Sequence, residues 1–128
     1  MTVADWCILV AVLIYLLTVA PAKALGHREF RNSAPRHPSF YESLLRARVL
    51  GAHINGIETF PFFAAAILLA EMKRGAQHVV DGLSVGFLVV RIAFILAYIG
   101  DRPTTRTLLW NVGFLLNLLI FLSPIIWR

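Results

Sequence analysis

One cysteine, Cys7, occurs in the chain, so an internal disulfide and a cysteine-based metal site are excluded. It lies within an apolar run, where a lone thiol reads as packing. His27, His37 and His78 read as loop or interface residues, since their spacings match no metal motif. Acids are scarce: seven Asp and Glu stand against twelve Lys and Arg, and charged residues make up only 15% of the 128. Soluble domains carry roughly 25% charged and 45–50% apolar residues. Here 59% of residues are hydrophobic and the mean hydropathy is +0.74. That balance excludes an ordinary soluble domain and predicts one integral membrane domain over residues 1–128, with lipid as the apolar phase. The net charge of +5 does not signal nucleic acid, because no nucleic-acid motif interrupts the apolar runs. Internal repeats and low-complexity segments are also absent.

What is present is four apolar runs. About 20 residues cross a hydrocarbon core of ~30 Å. The runs predict an all-α, four-helix bundle with spans at about 4–25, 41–72, 78–99 and 104–126. The first is read as a retained span rather than a signal peptide: Asp5 stands where a basic n-region belongs, and Ala20-Pro21-Ala22 is a poor cleavage site. Pro21 predicts a kink or boundary near its end, and Pro61 a kink just beyond Glu58 in the second span. Thr104 or Thr105 is the expected cap of the fourth. Trp110 and Trp127 read as interfacial aromatics toward its opposite ends. The first loop carries Arg28, Arg31 and Arg36 after Lys23, with Arg46 and Arg48 close by; the third holds Arg102 and Arg106. Lys73, Arg74 and Arg128 are the only cations on the other side. The positive-inside rule then places loops one and three in the cytoplasm and both termini outside it.

Polar residues within a membrane span are costly, so each needs a reason. In the second span Arg48, Gly51, Asn55, Glu58 and Phe62 recur at a 3-4-3-4 spacing and share a face. Gly51 leaves a notch for a ligand or a second helix, while His53 points nearer the face of Arg46. In the third span Arg91 and Tyr98 lie seven apart, with Arg102 four further on. Arg91 is eight residues before Ile99, about 12 Å at 1.5 Å per residue. Glu58 lies at a comparable depth, which predicts a Glu58–Arg91 pair, either as glue between helices or as part of a ligand site. The surplus of arginines (Arg48, Arg102, Arg106) at one end suits an anionic ligand with carboxylates, which arginine grips in bidentate fashion. Asn55 adds an amide for peptide-like groups. Asn111 and Asn117 read as hydrogen-bonding glue between helices.

These residues carry a family resemblance. The stretch Gly51-Ala52-His53-Ile54-Asn55-Gly56-Ile57-Glu58-Thr59-Phe60-Pro61 resembles the second-helix signature of the MAPEG family, the membrane-associated proteins of eicosanoid and glutathione metabolism. Arg91 to Tyr98 resembles the third helix of that family, with its Arg and Tyr seven apart. Arg106 matches an arginine that eukaryotic members use to activate the glutathione thiol. The resemblance spans nearly the whole chain, and the short loops are similar to those of bacterial members. It implies a homotrimer, in a bacterial inner membrane, with glutathione as co-substrate between subunits at the cytoplasmic end and a lipophilic small-molecule substrate arriving from the bilayer lipid. By the same resemblance Asn55, Glu58, Arg91 and Tyr98 would bind glutathione, with Arg48 and Arg102 supplying further cations, and Arg106 would stabilise the thiolate. Gly51 departs from the pattern, since eukaryotic members usually carry Arg there; Ile54 lacks a second basic residue, and Phe94 replaces a polar one.

The leading expectation is therefore a glutathione-dependent transferase or peroxidase acting on lipophilic electrophiles or hydroperoxides. A non-catalytic membrane scaffold of the same fold is the alternative that Gly51 and Ile54 favour. A small transporter with Glu58 and Arg91 in its pathway is a third.

Overall fold

A computed structural model describes residues 1–127; Arg128, expected on the non-cytoplasmic side, lies outside the described residues. Helix α1 (Val3–Thr18) and the short α2 (Ala20–Leu25) form the first span, α3 (Leu44–Met72) the second, α4 (Gln77–Ile99) the third and α5 (Pro103–Ile126) the fourth. All four spans are long and apolar enough to cross a membrane, and no strand occurs among the described residues. At most 39% of any span's apolar window is buried inside the bundle, which leaves broad lipid-facing surfaces. Leu16, Leu17, Val89, Leu96 and Leu108 are among the outward-facing residues.

The bounds follow local chemistry. Val19 interrupts the first span, two residues before Pro21, whose ring and missing N–H disrupt the helical turn before it. The second span starts at Leu44 and not at Tyr41: Pro38–Tyr41 forms a separate 3₁₀ turn, and Ser43 is extended at φ −63°, ψ 130°. The 29-residue α3 continues without a break through Pro61. No threonine caps α5; Arg102 is the N-cap and makes no side-chain capping bond, while Pro103 opens the helix, a position where its missing donor costs nothing.

The core lies between α1, α3, α4 and α5. Small residues let the backbones approach: Ala4 and Ala11 of α1 and Ala66 and Ala70 of α3 are fully buried, and Phe63 stacks on Phe87 at 4.1 Å between centroids. Gly56 is a true close-approach glycine, since a Cβ there would run into the Tyr15 ring of α1. His53, on the same side of α3, donates from Nδ1 to the Tyr15 carbonyl at 2.7 Å.

A polar clamp closes the end that holds both termini. Thr2 caps α1 in a reciprocal capping box with Asp5. The Thr2 hydroxyl donates to Glu71 (2.6 Å), the Ala4 N–H donates to Asp81 (2.9 Å), and Gln77 Nε2 donates to both acids. The Ala76 N–H donates to the Trp127 carbonyl at 3.3 Å. Sequence reasoning left Glu71, Gln77 and Asp81 unassigned.

Candidate functional site

The face-sharing residues of α3 and α4 do converge, with pairings that differ from those expected. Arg91 is 2% exposed, the largest fully buried side chain in the bundle. Its partner is not Glu58. Arg91 Nη2 donates to Asn55 Oδ1 at 3.0 Å, and no ion pair to Glu58 exists among the described residues. Asn55 and Glu58 are three residues apart, so depth alone does not separate them. Burial does: Asn55 is half-buried and reaches Arg91, whereas Glu58 is exposed. The Arg91 guanidinium also lies 4.3 Å from the Phe94 ring centroid and 5.8 Å from that of Tyr15, and an aromatic face stabilises a cation where water does not reach. Its Nε–H has no hydrogen-bond partner.

Two adjacent cavities open along this face. One, of about 300 Å³, is lined by Asn55, Phe94, Tyr98, Arg106, Thr107 and Trp110. Within it the Arg106 guanidinium sits 4.5 Å over the Tyr98 ring, and Phe94 meets Tyr98 edge-on at 5.7 Å. The other, of about 230 Å³, holds Glu58 and Arg91 among the rings of Phe62, Phe87, Trp110 and Phe114. Trp110 lines both, and the Asn55–Arg91 hydrogen bond joins a residue of one to a residue of the other. Asn117, which also lines the second cavity, has an unpartnered acceptor in Oδ1, and both that atom and Arg91 Nε are buried away from the open space. Unsatisfied buried groups cost about 1–3 kcal/mol each.

Two cations and a notch fall elsewhere than expected. Arg48 Nη2 pairs with Asp101 at 2.6 Å and lines neither cavity. Arg102 is exposed beyond the end of α4, so it does not share the helical face of Arg91 and Tyr98. The Gly51 notch is already filled: a Cβ on Gly51 would strike the Tyr98 hydroxyl, with ring atom Cζ at 2.7 Å. Asn111 bonds within its own helix, Nδ2 to the Thr107 carbonyl at 2.9 Å, and makes no bond between helices. Trp110 is more than an interfacial anchor: it lines both cavities and stacks on Phe114 at 5.6 Å. Its spacing of four from both Arg106 and Phe114 was the available signal.

The arrangement offers a guanidinium on an aromatic platform, a buried guanidinium with spare donor capacity, an amide and an exposed carboxylate. It can bind a small anion bearing peptide-like groups and stabilise negative charge on it. No curated protein and no solved structure matches the chain. A model of the MAPEG family matches residues 3–126, a match over nearly the full length, and by it this integral membrane protein belongs to the MAPEG family.

Proposed function

We propose that the protein is a glutathione-dependent membrane transferase or peroxidase working on lipophilic electrophiles or hydroperoxides. The observation that carries this reading is the convergence of Asn55, Tyr98 and Arg106 on one opening, with Arg91 held against Asn55 behind it. Glutathione has two carboxylates, two amides and an ammonium. Arg91 and Arg106 suit the carboxylates or the thiolate, Asn55 an amide, and Glu58 the ammonium. A cation beside a thiol favours the thiolate, which is the nucleophile.

In this scheme Arg106 stabilises the thiolate while the thiol proton passes to solvent at the end where α5 begins. The thiolate sulfur then attacks the electrophilic carbon and displaces its leaving group. With a hydroperoxide it attacks the distal oxygen: the O–O bond breaks, the alcohol leaves, and a second glutathione reduces the sulfenic acid to give the disulfide and water. The reading includes a homotrimer with glutathione between subunits, loops one and three in the cytoplasm, and a substrate that arrives from the lipid.

Calorimetric titration of glutathione into detergent-purified protein tests the reading. Saturable binding is expected, lost in Glu58→Gln. Arg106→Ala is expected to lower turnover at least a hundredfold while leaving the assembly intact, and full activity in that variant overturns the role. One observation favours the scaffold reading instead: Arg48, the nearest substitute for the family's missing arginine at position 51, is taken up by Asp101. No binding at millimolar glutathione, together with co-purification in fixed ratio with a larger complex, decides for the scaffold.

A further inference from the structure

The loop between the first and second spans is folded around a ring cluster whose residues line neither of the cavities beside Trp110. Phe30 meets Phe40 edge-on at 5.3 Å, Phe40 meets Tyr41 at 4.9 Å, and the Tyr41 hydroxyl donates to the Pro35 carbonyl. Arg46 rises from the first turns of α3, lies 4.8 Å over the Phe40 ring and pairs with Glu29 at 2.6 Å. Gly26 makes this assembly possible: a Cβ there would stand 2.7 Å from Phe40 and 2.8 Å from Arg46.

Two cavities flank the Glu29–Arg46–Phe40 partition, and Glu29 lines both. One, of about 310 Å³, is an apolar slot between the end of the first span and the start of the second, with Ala22, Leu25, Leu45, Val49 and Ile99 on its walls. Leu25 and Leu45 are exposed on its lip, so the slot opens toward the bilayer. The other, of about 430 Å³, is polar and contains Arg28, Arg31, His37 and Ser39. Its one acid, Glu29, is already neutralised by Arg46. Arg28 and Arg31 form no ion pair among the described residues. An apolar slot in the lipid that adjoins an unbalanced cationic cavity at the interface is complementary to an amphiphile with an anionic head.

We propose that the Gly26–Phe40 loop and the ends of the two spans it joins form a seat for an anionic phospholipid. Part of an acyl chain lies in the Leu25–Val49 slot, and the phosphate lies against Arg28 and Arg31. The guanidiniums bind phosphate oxygens through paired N–H donors, and the ring cluster holds the loop in place before the lipid arrives.

Native mass spectrometry of the detergent-purified protein, titrated separately with dioleoylphosphatidylglycerol and dioleoylphosphatidylcholine, tests the proposal. Saturable binding of the anionic lipid is expected, at least tenfold tighter than the zwitterionic one. Each arginine near an anionic surface contributes about a fivefold factor, so Arg28→Ala with Arg31→Ala is expected to weaken binding about thirtyfold. Leu25→Asp, at the exposed lip of the slot, is expected to weaken it at least tenfold with the arginines intact. Arg36→Ala removes a charge from the same loop but outside the cavity, and is expected to change little. Equal affinity for the two lipids overturns the proposal. So does an Arg36→Ala loss as large as that of Arg31→Ala, which marks diffuse surface attraction. Displacement of the lipid by glycerol phosphate at equal concentration also overturns it, because a free phosphate then suffices without the slot.

Discussion

Gly51 and Tyr98 form a matched pair across α3 and α4: the glycine leaves the space that the phenol hydroxyl and ring edge occupy. That ring in turn carries the Arg106 guanidinium at 4.5 Å. The sign of a Gly51→Ala change follows from two opposed terms. Alanine favours a helix over glycine by about 1 kcal/mol. Overpacking a filled position costs roughly 1–3 kcal/mol, and here the neighbour is an aromatic ring seated against Phe94. A net loss of thermal stability is expected in detergent, smaller when Tyr98→Phe removes the hydroxyl nearest the new methyl. An unchanged or raised midpoint for Gly51→Ala means that Tyr98 moves freely and does not hold Arg106. The sequence made Gly51 visible as a gap in a polar face, but a gap in a pattern does not name what fills it. For the same reason Arg91 was legible as an arginine needing a partner, while the choice of Asn55 over Glu58 was not. Residue spacing puts Asn55 and Glu58 on one face, one turn apart, and does not say which of the two reaches the neighbouring helix.

At the level of helices, the four spans were legible because each is a long apolar run, and the departures all trace to proline or capping chemistry. Pro21 acts two residues upstream of itself, Pro38 nucleates its own 3₁₀ turn, and Pro103 moves the start of α5 ahead of the threonines. The clamp on the N-terminus of α1 was not legible, since its members come from two stretches far apart in sequence, at residues 2–5 and 71–81. It is a helix N-terminus held by carboxylates: Asp5 from its own first turn and Asp81 from α4, with Glu71 of α3 receiving the Thr2 hydroxyl. A negative charge there is worth about 0.3–1 kcal/mol at exposed sites and up to ~2 kcal/mol when partly buried. Asp81→Asn is expected to speed amide hydrogen exchange in the first turn of α1 roughly five- to thirtyfold, while α4 and α5 near Tyr98 and Arg106 stay protected. Unchanged exchange at Ala4 means the bond to Asp81 contributes nothing to that helix end. A uniform rise across the bundle means the clamp supports the whole fold and not one end.

For the whole molecule, Glu58 is the residue that a single chain does not account for. It stands fourteen residues from either end of α3, about 21 Å at 1.5 Å per residue, and so deep within the second span. Its side chain is exposed, with no ion pair among the described residues. An acidic charge at the centre of a membrane helix costs about 2.5–3.5 kcal/mol or more, and Arg91, the nearest buried cation in sequence depth, is engaged with Asn55. A lone protomer offsets that cost only through the cavity that Glu58 shares with Arg91. In the proposed homotrimer the same face of α3 meets a second copy and the glutathione between them, and the carboxylate gains cationic company. Native mass spectrometry from a mild detergent is therefore expected to find three chains. Glu58→Leu is expected to lower the thermal midpoint or weaken glutathione binding at least tenfold, because it removes a charge that the assembly uses. If the protein is monomeric at every concentration and Glu58→Leu raises its stability, the carboxylate faces lipid alone. Both the trimer and the glutathione site then fall together, since both place a partner against the same face of α3.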